Sequence, residues 1–129
     1  MATSTPNLFA ATTAVPHTLS VTPSNASRTA LLAAPSAGTT YKINQIIAAN
    51  IDGTGAYSAT VEIRDQATST YNAIASTISI PPNASLIVSD KTTLFYLVPT
   101  DTTGEGSGVY VTSSTGSKIV YTISYEAIT

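Results

Sequence analysis

Apolar residues in this chain recur at every second position, in one segment after another, and almost never at the three-to-four spacing of a helix. A period of two is the period of a pleated strand, whose successive side chains point to opposite faces. Val15, His17, Leu19 and Val21 alternate with Pro16, Thr18 and Ser20. Tyr41, Ile43, Gln45, Ile47, Ala49 and Ile51 share one face of a longer segment. Tyr57, Ala59, Val61 and Ile63 then alternate with Ser58, Thr60, Glu62 and Arg64. Ile74, Ser76, Ile78 and Ile80 continue the pattern until Pro81-Pro82-Asn83 breaks it. Short apolar runs at 28–33, 86–88 and 94–98 and the segments around Val109 and Val111 and from Ile119 to Tyr125 complete the set.

Turn chemistry separates these segments. Asp52-Gly53-Thr54-Gly55 is a strong turn signal and reads as the corner of a hairpin between 41–51 and 57–64. Ser114-Thr115-Gly116-Ser117 reads as a second hairpin, and residues 65–70 and 100–108 are polar loops. Eight or nine short strands with turn signals about every 8–12 residues predict an all-β fold. The expected architecture is an antiparallel β-sandwich, jelly-roll-like, of about eight strands. Ile43, Ile47, Val61, Ile63, Ile78, Val111, Ile119 and Ile123 are its expected core.

A chain of 129 residues suits one domain and buries roughly two-thirds of its unfolded surface, so it folds without a metal or a disulfide. Residues 1–25, rich in Thr, Ala, Ser and Pro, read as an extended N-terminal arm, and residues 26–129 as the sandwich domain. Leu8 and Phe9 are the bulky apolar pair of the arm. Burying them stabilises by about 3–6 kcal/mol, whereas ordering backbone costs about 1–2 kcal/mol per residue. The pair cannot hold the arm alone, so the arm is expected to lie across another chain with Phe9 as its anchor.

Composition bears on partners. Charged residues make up 9% of the chain, against about 25% in ordinary soluble domains. Ser and Thr, at about 30%, take their place. Hydroxyl surface is cheap to cover with a partner, whereas Lys or Glu must find a counter-charge. The composition therefore points to assembly, with homo-oligomers (trimer or dimer) expected. Five basic residues, Arg28, Lys42, Arg64, Lys91 and Lys118, are scattered and the net charge is −2, which argues against a nucleic-acid partner. No apolar run approaches a membrane span, and the first residues lack the pattern of a secretory signal.

Chemistry is sparse. There is no Cys, and His17 is the single histidine, so a shared imidazole metal site or a thiolate nucleophile has no residues to build it. Gly104-Glu105-Gly106-Ser107-Gly108 lacks the spacing of a nucleophile elbow and precedes a strand. Most carboxylates, Asp52, Asp65, Asp90 and Asp101 among them, fall in turns, where Asp is favoured for backbone reasons. No catalytic residue, cofactor or metal is expected. Tyr121 and Tyr125 share a strand face and read as a core or subunit-contact ladder. Leu8, Phe9, Val15, His17 and Tyr96 are the candidate protein-interface residues.

The stretch Tyr41-Lys42-Ile43-Asn44-Gln45-Ile46-Ile47-Ala48-Ala49-Asn50-Ile51-Asp52-Gly53-Thr54 resembles small β-sandwich virion proteins of tailed bacteriophages, especially phages of cyanobacteria. In those proteins a Tyr-Lys-hydrophobic strand leads into an Ala-Asn-hydrophobic-Asp-Gly turn. Ile78-Ser79-Ile80-Pro81-Pro82-Asn83-Ala84-Ser85-Leu86 and the closing Tyr121-Thr122-Ile123-Ser124-Tyr125-Glu126 are similar to later strands of the same proteins. The likeness spans residues 28–128; the acidic Leu-x-x-Gly-Asp of the family is replaced here by the loop at 100–108. The resemblance implies a capsid decoration (cement) protein on the phage head, bound to the major capsid protein or other virion proteins. A tail, neck or baseplate component of the same fold is the alternative, and a carbohydrate-binding module a more distant one. It implies no catalytic residues, and a virion made in the bacterial cytoplasm as the location.

Overall fold

The computed structural model describes residues 13–99 and 106–129 of the chain. Within them are nine strands: β1 (Ala14–Val21), β2 (Thr29–Leu32), β3 (Thr40–Asn50), β4 (Tyr57–Arg64), β5 (Tyr71–Ile80), β6 (Ser85–Ser89), β7 (Phe95–Leu97), β8 (Gly108–Ser113) and β9 (Ile119–Ile128). They form two antiparallel sheets, one ordered β1-β9-β3-β6 with β7 also on β3, the other β2-β8-β4-β5. The pairs β1–β9, β2–β8, β3–β6 and β4–β5 are those of a single long antiparallel hairpin folded over on itself. The wrap closes through β9–β3 and β8–β4, giving the jelly-roll form of the sandwich.

The core lies between the sheets. Ile43, Ile46, Ile119, Tyr121 and Ile123 from one sheet meet Leu31, Val61, Val109 and Val111 from the other, all with almost no exposed surface. Tyr121 is buried whole because its hydroxyl is satisfied, 2.9 Å from the Ser113 Oγ and donating to the Thr112 carbonyl at 3.1 Å. Burial raises the Tyr121 pKa, and the Ser113 bond partly offsets that rise.

Both hairpins expected from turn chemistry are corrected. β3 and β4 belong to different sheets, as do β8 and β9, so residues 51–56 and 114–118 are arches crossing the sandwich. The loop that does close a hairpin is 65–70, between β4 and β5, where Asp65 N–H donates to the Thr70 carbonyl at 2.7 Å. In the second arch a side chain at Gly116 would stand 2.2 Å from the Ser24 carbonyl oxygen, so only glycine fits there.

The core list also needs correction. Ile43, Val61, Val111, Ile119 and Ile123 are buried, but Ile47 and Ile63 are half-buried and Ile78 is 40% exposed. The register of β3 against β9 slips by one residue between Ile43 and Gln45. That bulge reverses the alternation, carrying Ile46, Ala48 and Asn50 inward and Ile47, Ala49 and Ile51 outward. β1 likewise lies within the span assigned to the arm. It pairs along its whole length with β9 of its own chain.

Candidate interaction surface

The corner after β3 explains the Asn-x-Asp-Gly signature. Asn50 is 2% exposed. Its side-chain amide donates to the carbonyls of Gly55, Ile80 and Pro81 at 2.8, 2.9 and 3.1 Å. Its side-chain oxygen accepts from Asp52 N–H at 2.9 Å. One buried side chain thus ties the first arch to the turn between β5 and β6. The Asp52 carboxylate accepts from Lys118 Nζ, from the Thr54 hydroxyl and from the backbone N–H groups of Thr54 and Gly55. These bonds, Lys118 first, hold the Asp52 carboxyl well below the usual carboxylate range and raise the Lys118 pKa. Every one of these groups is used within the fold, so the corner is a structural device.

The outward face of the β1-β9-β3-β6 sheet has a different character. Cross-strand rows can be read from the register. Ser20, Thr122, Ile47 and Ile87 form one, and Pro16, Glu126, Lys42 and Tyr96 another. Hydroxyls bond to each other across it, Ser20 to Thr122 at 2.8 Å and Thr18 to Ser124 at 3.5 Å. Ile87 and Ile51 are 59% and 57% exposed, and Tyr96 44%. The charges in those two rows, Lys42 and Glu126, pair with each other at 3.5 Å. The face is apolar at one end and hydroxyl-bearing in the middle, with Asp90 and Lys91 of the turn between β6 and β7 beside Ser124.

The outward face of the other sheet carries more charge. Arg28 makes a two-pronged contact with Glu62, 2.7 and 3.2 Å, and its guanidinium lies 3.9 Å above the Tyr71 ring. Tyr110 meets Tyr71 edge-on on this side, away from Tyr121 and Tyr125. Arg64 reaches the Gly106 carbonyl.

The sequence-derived interface residues fall in three places. Leu8 and Phe9 lie outside the described residues. Val15 and His17 are on β1 in register with Ala127 and Tyr125, on the side that faces into the sandwich, where the short β2 leaves them exposed. His17 stacks on Tyr125, ring centres 5.1 Å apart, and Tyr125 in turn meets Tyr41 at 4.8 Å. Tyr96 stands on the opposite, outward face of the same sheet. The structure therefore does not bring Tyr96 together with Val15 and His17. Sequence reading missed Lys42 and Glu126, which share the row of Tyr96, and Ile47 and Ile87, which share the other row. Only pairing register reveals the rows, and the bulge at Asn44 hides Ile47 from a period-two reading.

Clefts are shallow. One of about 510 Å³ lies beside the bulge, lined by Asn44, Gln45, Asp90, Lys91, Thr92 and Ser124. Asp90 there is engaged by the Thr92 hydroxyl and N–H, which lower its pKa. Among the described residues no three His, Asp or Glu side chains converge in a way that could hold a metal ion. Nor is any helix long and apolar enough to cross a membrane.

No protein-family model matches the chain, and no curated protein matches it. Among solved structures it is similar to the Drosophila NLP core, described for its pentamer formation and histone binding. The identity is 17%, with 88% of this chain and 95% of that one covered and a TM-score of 0.44. It is also similar to a chain of the virus-like particle of the extra small virus of the giant freshwater prawn Macrobrachium rosenbergii. There the identity is 10%, the coverage 89% and 78%, and the TM-score 0.44.

Proposed function

We propose that this chain is a non-catalytic structural protein of a virus particle, a capsid decoration (cement) protein that stabilises a phage head through protein–protein contacts. The observation that carries the reading is the outward face of the β1-β9-β3-β6 sheet: apolar, rich in hydroxyls, with Lys42 and Glu126 paired to each other. Such a face loses little when a protein partner displaces its water, and exposed Ile87, Ile51 and Tyr96 gain from being covered. The resemblance of residues 41–63 to small virion proteins of tailed phages supports the same reading. Partners are the major capsid protein or other virion proteins and further copies of this chain, rather than nucleic acid or membrane. The arm, with Phe9 as anchor, fastens the sandwich to a neighbour.

The test is quantitative protein analysis of purified particles. Copies comparable in number with the major capsid protein are expected. A few copies per particle would move the protein to the tail, neck or baseplate, and its absence from particles would overturn the proposal. Removing residues 2–12 should leave the sandwich folded, as read by circular dichroism, while weakening its retention on particles. Unchanged retention would remove the arm from the proposal.

A further inference from the structure

The sandwich is not covered evenly along β1. Leu19 and Val21 stand opposite Ile123 and Tyr121, which have no exposed surface, so these side chains of β1 point into the sandwich. Val15 and His17 share that side. Yet Val15 is 43% and Leu19 38% exposed, and His17 lies exposed on the Tyr125 ring. The reason is length. The sheet opposite ends in β2, four residues against the eight of β1, and Leu31 and Leu32 of β2 are taken up by the core. Among the described residues, the inner side of β1 from Val15 to Leu19 is an apolar and aromatic strip without a cover. The residues paired with it, Ala127, Tyr125 and Ile123, carry no charge.

The chain itself supplies a segment of matching chemistry. Residues 1–12 precede β1 and include Leu8 and Phe9. Phe9-Ala10-Ala11-Thr12-Thr13 contains no Gly, Pro, Asn, Asp or Ser, the residues that reverse a chain. To lay Phe9 on Val15 and Leu19 of its own strand, the chain would have to reverse within those five residues. Extended, the four steps from Thr13 to Phe9 reach about 13 Å, as far as the four steps of strip from Val15 to Leu19. The backbone edge of β1 is the poorer seat. Thr13 and Thr129 exchange backbone hydrogen bonds of 3.4 and 3.0 Å, so even-numbered residues of β1 turn their backbone groups to that edge, and Pro16 withholds an N–H there. Contact with β1 therefore falls to its side chains.

We propose that two copies of this chain exchange their N-terminal segments. Phe9 of each copy lies on the inner side of β1 of the other, against Val15, Leu19 and the stacked pair of His17 and Tyr125. The contact is isologous: Phe9 of one chain meets Val15 of the other, and Val15 meets Phe9. Val15 and Leu19 lose water-exposed apolar surface, and the His17–Tyr125 pair gains a third ring. This rests on the reading that the arm fastens the sandwich to a neighbour through Phe9. It names that neighbour as a second copy and the seat as the strip on β1. The outward face of the β1-β9-β3-β6 sheet stays open to the capsid.

Sedimentation velocity of the full chain over a dilution series tests it. Phe9→Ala removes the inserted ring, and Val15→Asp spoils the seat. The wild type should dimerise. Each variant alone has neither of its two contacts intact, so its self-association should weaken at least about tenfold. Mixed in equal amounts, the variants form a pair in which Phe9 of the Val15→Asp chain meets Val15 of the Phe9→Ala chain. The mixture should therefore associate more tightly than either variant alone and less tightly than the wild type. That recovery also certifies that both variants are folded, and a segment lying on its own β1 would not produce it. A wild type that stays monomeric, a Phe9→Ala chain that dimerises as the wild type does, or a mixture no tighter than its components would each overturn the proposal. The measurement contains no particles, so the two readings fail separately. A chain that dimerises in this way but is absent from particles overturns the virion reading alone, and one found in particles but monomeric in solution overturns the exchange alone.

Discussion

β3 and β5 are two long strands of this sandwich that alternate around isoleucines, and they meet opposite fates. Each is interrupted by slips in its pairing. β3 lies inside its sheet, between β9 on one side and β6 and β7 on the other, and carries isoleucine in both phases, so its bulge merely exchanges Ile47 for Ile46 in the core. Among the described residues β5 lies at an edge, with only β4 beside it, and its isoleucines sit in a single phase. After two bulges only Ile80 is fully buried, while Ile74 and Ile78 remain 42% and 40% exposed. Alternation supplies a candidate core face; neighbours on both sides decide whether the face is covered.

Substitutions can break or sharpen this contrast. Ile46→Ala opens a cavity at a site with no exposure and should cost about 3–4 kcal/mol in urea unfolding. A loss below about 1 kcal/mol would place Ile46 outside the core and undo the bulge argument. Asn50→Ala, at the inner end of β3, leaves the Gly55, Ile80 and Pro81 carbonyls without their shared donor and should cost about 2–3 kcal/mol.

Next in size is Asp52→Asn, whose effect depends on pH. The folded-state pKa of Asp52 is depressed below its unfolded value of about 3.9. Its stabilisation is therefore fully present above that value and is lost as the pH falls through the depressed one. Thermal melts of the wild type and Asp52→Asn should differ at pH 7, and the gap should narrow below about pH 4. A gap independent of pH would mean that the carboxylate charge contributes nothing. Ile78→Ala on the edge strand, and Ile47→Ala on the outward face, should each cost less than about 1 kcal/mol in the monomer.

Much of the fold was legible in local sequence. The Pro81-Pro82-Asn83 break, the polar loop at 65–70 and the period-two segments mark strands that the structure contains. The two arches were not legible as arches, because Asp-Gly and Ser-Thr-Gly-Ser signal a change of direction without saying whether the next strand pairs with the last or crosses to the other sheet. The surface was still less legible. Tyr96 could be singled out as an aromatic near a turn, but its row brings together positions 16, 42, 96 and 126, and no window of sequence contains them.

By itself the sequence determined that this chain is all β, that its strands are short and many, and that its surface is poor in charge. These properties follow from residue type and spacing, because a period of two and a supply of β-branched residues act within a few positions of the chain. Tertiary structure alone decided which isoleucine of β3 points inward, which strands cross between sheets, and that Lys42 and Glu126 stand together on an apolar, hydroxyl-rich face. Each of those depends on register between strands distant in the chain, where one slipped residue exchanges inside for outside.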